Sequence, residues 1–213
     1  MKRLTLTVYI KVLVAFILTK MILLAAPGSG ELRVGATYLS MANKSEAFSA
    51  LGINFPENAL SINSKVIPEL DYMYNFNAHF STLLVLTIPQ TQTVTLAGVG
   101  KLGTFKHLPP VLAVQYHFLP TDLLNPYIGV GLNYTLIYDS NLIVTTIPLA
   151  LDTHSFGLVG QAGVDIDIGH SFYLNLDIKK VGIETGVYLP GGSELTRANL
   201  DPWLFSAGCA YRF

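Results

Sequence analysis

Apolar residues in this 213-residue chain recur in short runs of period two, broken by Gly, Pro and Asn. The last run shows the pattern best. From Trp203 onward one parity carries Trp203, Phe205, Ala207, Cys209, Tyr211 and Phe213; the other carries Leu204, Ser206, Gly208, Ala210 and Arg212. Successive side chains of a strand point to opposite faces. One face is therefore apolar with aromatics at both ends, and the other is small or polar. That distribution suits a strand whose outer face meets lipid and whose ends meet two interfaces. The alternative is the edge strand of an ordinary sandwich.

Seven earlier runs read as strands: Glu31–Leu39, Val66–Phe76, His79–Ile88, Thr104–Phe118, Pro126–Tyr138, Thr153–Ile168 and Phe172–Val181. The third alternates poorly, because Leu83, Leu84, Val85 and Leu86 fill both faces. Pro109 and Pro110 interrupt the fourth, where a bulge or other irregularity is expected because proline cannot donate to a ladder. The connections alternate long and short, with long loops at residues 40–64, 89–101, 139–152 and 182–199. An even strand count with this alternation predicts an all-β fold: an eight-stranded antiparallel up-and-down transmembrane β-barrel of outer-membrane type over residues 29–213. Both termini are then periplasmic. A soluble eight-stranded barrel alternates too, but with its aromatics inward and its charges outward.

Composition agrees with membrane residence. Charged residues make up 13% of the chain, against roughly 25% in a typical soluble domain. A net charge of −1 offers nothing to nucleic acid. The single cysteine, Cys209, permits neither an internal disulfide nor a paired-cysteine zinc site. At the amino end a basic Met1–Arg3 precedes an apolar stretch, Leu4–Ala26, interrupted by Lys11 and Lys20 and followed by Gly28. Residues 1–28 read as a signal peptide, with a retained anchor helix as the alternative.

The blocks KLGTFKHLPP (Lys101–Pro110), VQYHF (Val114–Phe118), NPYIGVGLNYT (Asn125–Thr135) and LDPWLFSAGCAYRF (Leu200–Phe213) resemble the outer membrane protein W family, in order and with matching spacing. The resemblance implies an outer-membrane barrel with a narrow apolar lumen and a role in uptake of small hydrophobic molecules. It also implies links to stress responses and to recognition by toxins.

Inner-face parity then sorts the lumen by height. Glu31, Arg33, Gln115, His117, Asp165, Asp167, Asp177 and Arg212 are expected to form a charged periplasmic plug. Ile137, Val159, Val181 and Leu204 are expected to line an apolar cup toward the long loops. Charge inside a barrel must be paired, so a structural plug is favoured over a catalytic one. Pro109 and Pro110 are candidates for a lateral seam through which a solute leaves the barrel. The apolar segment Leu142–Leu151 is expected to act as a lid or to touch the outer leaflet.

The reading is a channel or binder for small hydrophobic solutes. The alternative is a structural or surface-recognition barrel acting through its extracellular loops. Expected partners are outer-membrane lipid, small hydrophobic solutes and the barrel-assembly machinery, engaged through Phe213. No cofactor or metal is expected. His79 and Ser81, with Glu69 or Asp71, have the residue types of a hydrolytic triad, but at the periplasmic end, away from lipid A, so no enzyme is expected. His107 and His117 share a face but lie roughly 33 Å apart along a strand, too far to ligate one metal.

Overall fold

A computed structural model describes residues 29–50 and 53–213. The expected signal peptide lies outside the described residues. Eight strands close on themselves: strand one Gly30–Ser40, two Lys65–Asn75, three Phe80–Thr87, four Val111–His117, five Leu124–Val144, six His154–Gly169, seven Phe172–Val181 and eight Trp203–Arg212. Each pairs antiparallel with its sequence neighbour. Closure runs between strands one and eight, from Glu31 opposite Arg212 to Ser40 opposite Trp203. Short turns follow strands two, four and six, so both ends of the barrel sequence sit at the short-turn end.

Alternation explains why these residues form these strands. Val34, Leu112, Val114, Ile128, Val130, Leu132, Leu158, Leu174 and Leu176 all face outward and are exposed, Val130 at 72% and Leu158 at 73%. Two aromatic rings bound this band. Phe76, Phe80, Phe118, Phe172 and Tyr211 ring the short-turn end, and Tyr38, Tyr134, Phe156, Trp203 and Phe205 ring the other. Tyr116 stacks on His79 and meets Phe80 and Phe118 edge-on within the lower ring. At the upper ring the Lys180 ammonium lies 5.0 Å from the Trp203 ring centroid, its charge carried up toward water.

The long connections differ from expectation, because most of them are strands. Gln90–Leu96 lies where a loop was expected and forms a hairpin with Gly100–Leu108, so the single strand expected over Thr104–Phe118 is broken at Pro109 and Pro110. The end of strand five and Ile147–Leu151 form another hairpin in the expected loop 139–152. Glu184–Tyr188 pairs with Glu194–Asn199, and Leu60–Ile62 pairs with Gln90–Leu96. Strand five, 21 residues long, carries both wings of this extracellular sheet. Leu60, Leu96, Leu102, Phe105, Leu142, Val144, Leu149 and Val187 face one another between the wings. Their burial gives the segments the long-range pairing that a reading by local punctuation cannot supply. Leu142–Leu151 is thus a hairpin whose inner side chains cover the barrel mouth.

An arginine in place of Val130 or Leu158 is expected to destabilise the folded barrel by roughly 2–4 kcal/mol, the cost of charge on the lipid face near mid-depth. Urea unfolding in lipid vesicles, followed by Trp203 fluorescence, measures it.

Candidate functional site

The inner face carries two stacked polar layers. In the lower layer the Arg33 guanidinium donates to Glu31 Oε1 (2.8 Å), Asp165 Oδ2 (3.0 Å) and Tyr127 Oη (3.3 Å). Arg212 holds Glu31 Oε2 from two nitrogens (2.9 and 3.1 Å) and reaches Tyr173 Oη at 3.1 Å. Asn175 donates to Asp165 (2.7 Å) and Tyr127 (2.9 Å). Tyr127 fits across the lumen because residue 163 is glycine; a Cβ there would sit 2.5 Å from its ring. Gln115 donates to Gln161 Oε1 at 2.9 Å.

The upper layer centres on Lys179, which is fully buried. Its Nζ donates to Glu69 Oε1 (2.9 Å), Asp177 Oδ1 (2.8 Å) and Ser206 Oγ (3.2 Å). Thr37 donates to the other Glu69 oxygen at 2.8 Å. Asp71 Oδ1 is buried without a hydrogen bond. Counting both layers, five buried carboxylates (Glu31, Glu69, Asp71, Asp165, Asp177) face three cations (Arg33, Lys179, Arg212). Arg33 and Lys179 have almost no exposure, so side chains fill the lumen at this depth and block a straight aqueous path.

Glu31, Arg33, Gln115, His117, Asp165, Asp177 and Arg212 all lie in these layers. Asp167 does not: it sits at the rim, where its Oδ1 accepts the Gly169 N–H (2.7 Å) and caps the turn. Lys179, Glu69, Asp71 and Tyr127 were not expected in the plug. Lys179 was findable, since it shares the inner parity of Asp177 on strand seven. The triad pattern does not assemble. His79 Nδ1 lies 2.7 Å from the His117 carbonyl oxygen, while Ser81 Oγ meets His117 Nε2 at 3.1 Å inside the plug, with no exposure for a substrate. Asn125 Nδ2 lies 2.9 Å from His117 Nδ1, beside a cleft of about 290 Å³ that opens at the short-turn end.

Ile137, Val159, Val181 and Leu204 are buried above the plug. Apolar lining also descends on one side, through Val111, Ala113, Val85, Leu83 and Met73 on strands four, three and two. This accounts for the poor alternation of strand three: its inner Leu83 and Val85 face an apolar lumen while Leu84 and Leu86 face lipid. The lumen is therefore two-sided, with ion pairs among strands one, two, six, seven and eight and, above Ser81 and Gln115, hydrocarbon against strands three and four. The apolar cup is nearly filled. The extracellular side chains leave a cleft of about 30 Å³ lined by Leu60, Val94, Leu102, Phe105, Leu142 and Leu149, among others.

Strand pairing lapses above this apolar side. Strands three and four pair up to Val85 opposite Val111, and their continuations resume only at Gln90 opposite His107. Strands two and three pair up to Glu69 opposite Thr87 and resume at Ile62 opposite Val94. Pro68, Pro89, Pro109 and Pro110 all fall in the interval. Side chains stand in for the ladder there: Thr87 Oγ1 donates to the Pro68 carbonyl (3.2 Å) and Gln90 Nε2 to that of Ile88 (2.8 Å).

Replacing Lys179 with methionine is expected to cost roughly 3–5 kcal/mol, because it strands Glu69 and Asp177 as buried charges. Asp71→Asn is expected to leave stability unchanged or raise it, since it removes excess charge and breaks no ion pair. Urea unfolding midpoints of the two variants are the check.

Comparison with known proteins agrees with this architecture. The chain is 34% identical to the outer-membrane protein y4mB of Sinorhizobium fredii, over 74% of this chain and 70% of that one. It is 30% identical to outer membrane protein W of Vibrio cholerae, over 74% and 77%. Its fold is similar to the crystal structure of OprG from Pseudomonas aeruginosa, with a TM-score of 0.76, 24% identity and coverage of 89% of this chain and 97% of that one. The OmpW family model matches residues 27–213, so this chain, a closed barrel of the outer membrane, belongs to the OmpW family.

Proposed function

We propose that this barrel moves small hydrophobic solutes from the extracellular face into the outer membrane, releasing them sideways at the gap beside strand three. The observation that carries the reading is the succession of three features up one side of the barrel. The ion-pair layers close the axial route, apolar lining runs up strands three and four, and the ladder lapses where that lining reaches Pro109 and Pro110. Backbone groups inside a membrane normally pair within the protein, and proline removes donors that would zip the gap shut. Two carbonyls beside the gap, those of Pro68 and Ile88, already have side-chain donors. Entry from outside requires the extracellular hairpins to part. Nothing in the reading calls for catalysis, a metal or a cofactor, and outer-membrane lipid is the receiving phase.

A second reading, a surface-recognition barrel acting through its extracellular sheet, is favoured by the filled cup. Vesicles with a lipopolysaccharide outer leaflet separate the two. With the protein present, naphthalene is expected to cross faster than a polar solute of similar size, and faster than in protein-free vesicles. The Pro109→Val, Pro110→Val double variant, which restores two ladder donors, is expected to slow naphthalene several-fold while still folding. Naphthalene flux equal to that of protein-free vesicles defeats the transport reading and leaves the recognition reading standing. Unchanged flux in the double variant defeats the lateral exit.

A further inference from the structure

Among the described residues the extracellular core is largely apolar, and buried hydroxyls such as those of Thr185 and Thr196 are hydrogen-bonded to backbone carbonyls. Gln92 and His107 face each other across the Gln90–Leu96 and Gly100–Leu108 hairpin, both with no exposure, their Nε2 atoms 3.1 Å apart. Gln92 Oε1 and His107 Nδ1 have no hydrogen-bond partner. A buried polar atom without a partner is costly, so this pair is not explained by packing.

Its chemistry is narrow. This level lies outside the hydrocarbon, because Lys106, next along the strand, pairs outward with Asp139 at 3.1 Å. Burial, reinforced by the nearby Lys65 charge, holds His107 down at about 4, so the ring is neutral at pH 7. A neutral imidazole has one donor and one acceptor nitrogen. If the Gln92 amide donates to the ring, an amide oxygen and a ring N–H remain. If the ring donates to the amide, an amide N–H and a bare ring nitrogen remain. Either way both a donor and an acceptor are left without partners, the two functions that a hydroxyl group satisfies.

The pair also stands on the proposed route. Two residues up each strand, Val94 and Phe105 line the small apolar cleft, with the Phe105 and His107 rings 5.9 Å apart. Two residues down from His107 is Pro109, at the gap between strands three and four. The geometry points to Gln92 and His107 as a hydroxyl-binding subsite for an otherwise apolar solute, such as an aromatic or aliphatic alcohol. This rests on the transport reading for its purpose but not for its binding chemistry.

The test uses the full barrel in lipid nanodiscs, with 2-naphthol and naphthalene as probes of one ring size. Side-chain nuclear magnetic resonance of the Gln92 amide and the His107 imidazole is the readout. Both signals are expected to shift and saturate with 2-naphthol and to stay in place with naphthalene. In Gln92→Leu the His107 response to 2-naphthol should weaken by about tenfold in affinity, the loss of one or two hydrogen bonds. His107→Phe should weaken the Gln92 response likewise, and heat-modifiable migration on gels verifies that each variant is folded. No shift of either side chain with 2-naphthol, the result for a pair that holds only a water, overturns the subsite whether or not the barrel transports. Equal shifts with both probes overturn it too. Naphthalene flux in lipopolysaccharide vesicles is scored separately, so failure of transport and failure of the subsite remain distinct results.

Discussion

Inside a bilayer every peptide N–H and C=O needs a partner from the protein itself, and a β-sheet meets that need only by having no free edge. Here the first and last strands supply the closing ladder, ten residue pairs from Glu31–Arg212 to Ser40–Trp203. Gly35 and Gly208 sit opposite each other in that ladder, and a Cβ on Gly35 would fall 2.6 Å from the Ala207 carbonyl oxygen. Once the sheet is closed, each strand has one face in hydrocarbon and one in a narrow interior. The interior cannot be left empty or unpaired, and the polar layers follow from that requirement.

Those layers are asymmetric around the barrel. Long charged side chains from strands one, two, six, seven and eight reach across to one another, with Arg33 meeting Asp165 and Lys179 meeting Glu69. Glycines at 129 and 163 make room: at 163 for the Tyr127 ring, at 129 for Gln115 and Gln161. Strands three and four carry no charged side chain in these layers and, above Ser81, Gln115 and His117, contribute aliphatic ones. Ion pairs and hydrogen bonds tie one wall of the barrel together, while the other wall is held by dispersion and by a ladder that fails near its top. The part of the barrel with the weakest hydrogen bonding is also the part whose lining matches the lipid outside.

The extracellular sheet is a second apolar core, built on an extension of strand five. It buries aliphatic and aromatic side chains of segments far apart in sequence, and it converts what would be flexible connections into paired strands. The Gln92–His107 pair is a buried polar pair with unpartnered atoms, and it lies between that core and the interrupted ladder.

Period-two alternation, aromatic residues at both ends of the apolar faces and the rhythm of long and short connections were enough to read eight membrane strands, their inward and outward faces and the end at which the termini lie. These are properties of neighbours along one strand, where covalent geometry alone sets which side a residue faces. Parity also placed Arg33, Asp165 and Asp177 inside. It could not say that Ser81 would meet His117 rather than His79, that Asp167 would cap a turn instead of joining the plug, or that Leu142–Leu151 would fold back as a hairpin. Those outcomes depend on height and on position around the barrel, which closure and register between distant strands determine. Lys179 and Glu69 lie 110 residues apart, and only the closed sheet brings them to 2.9 Å.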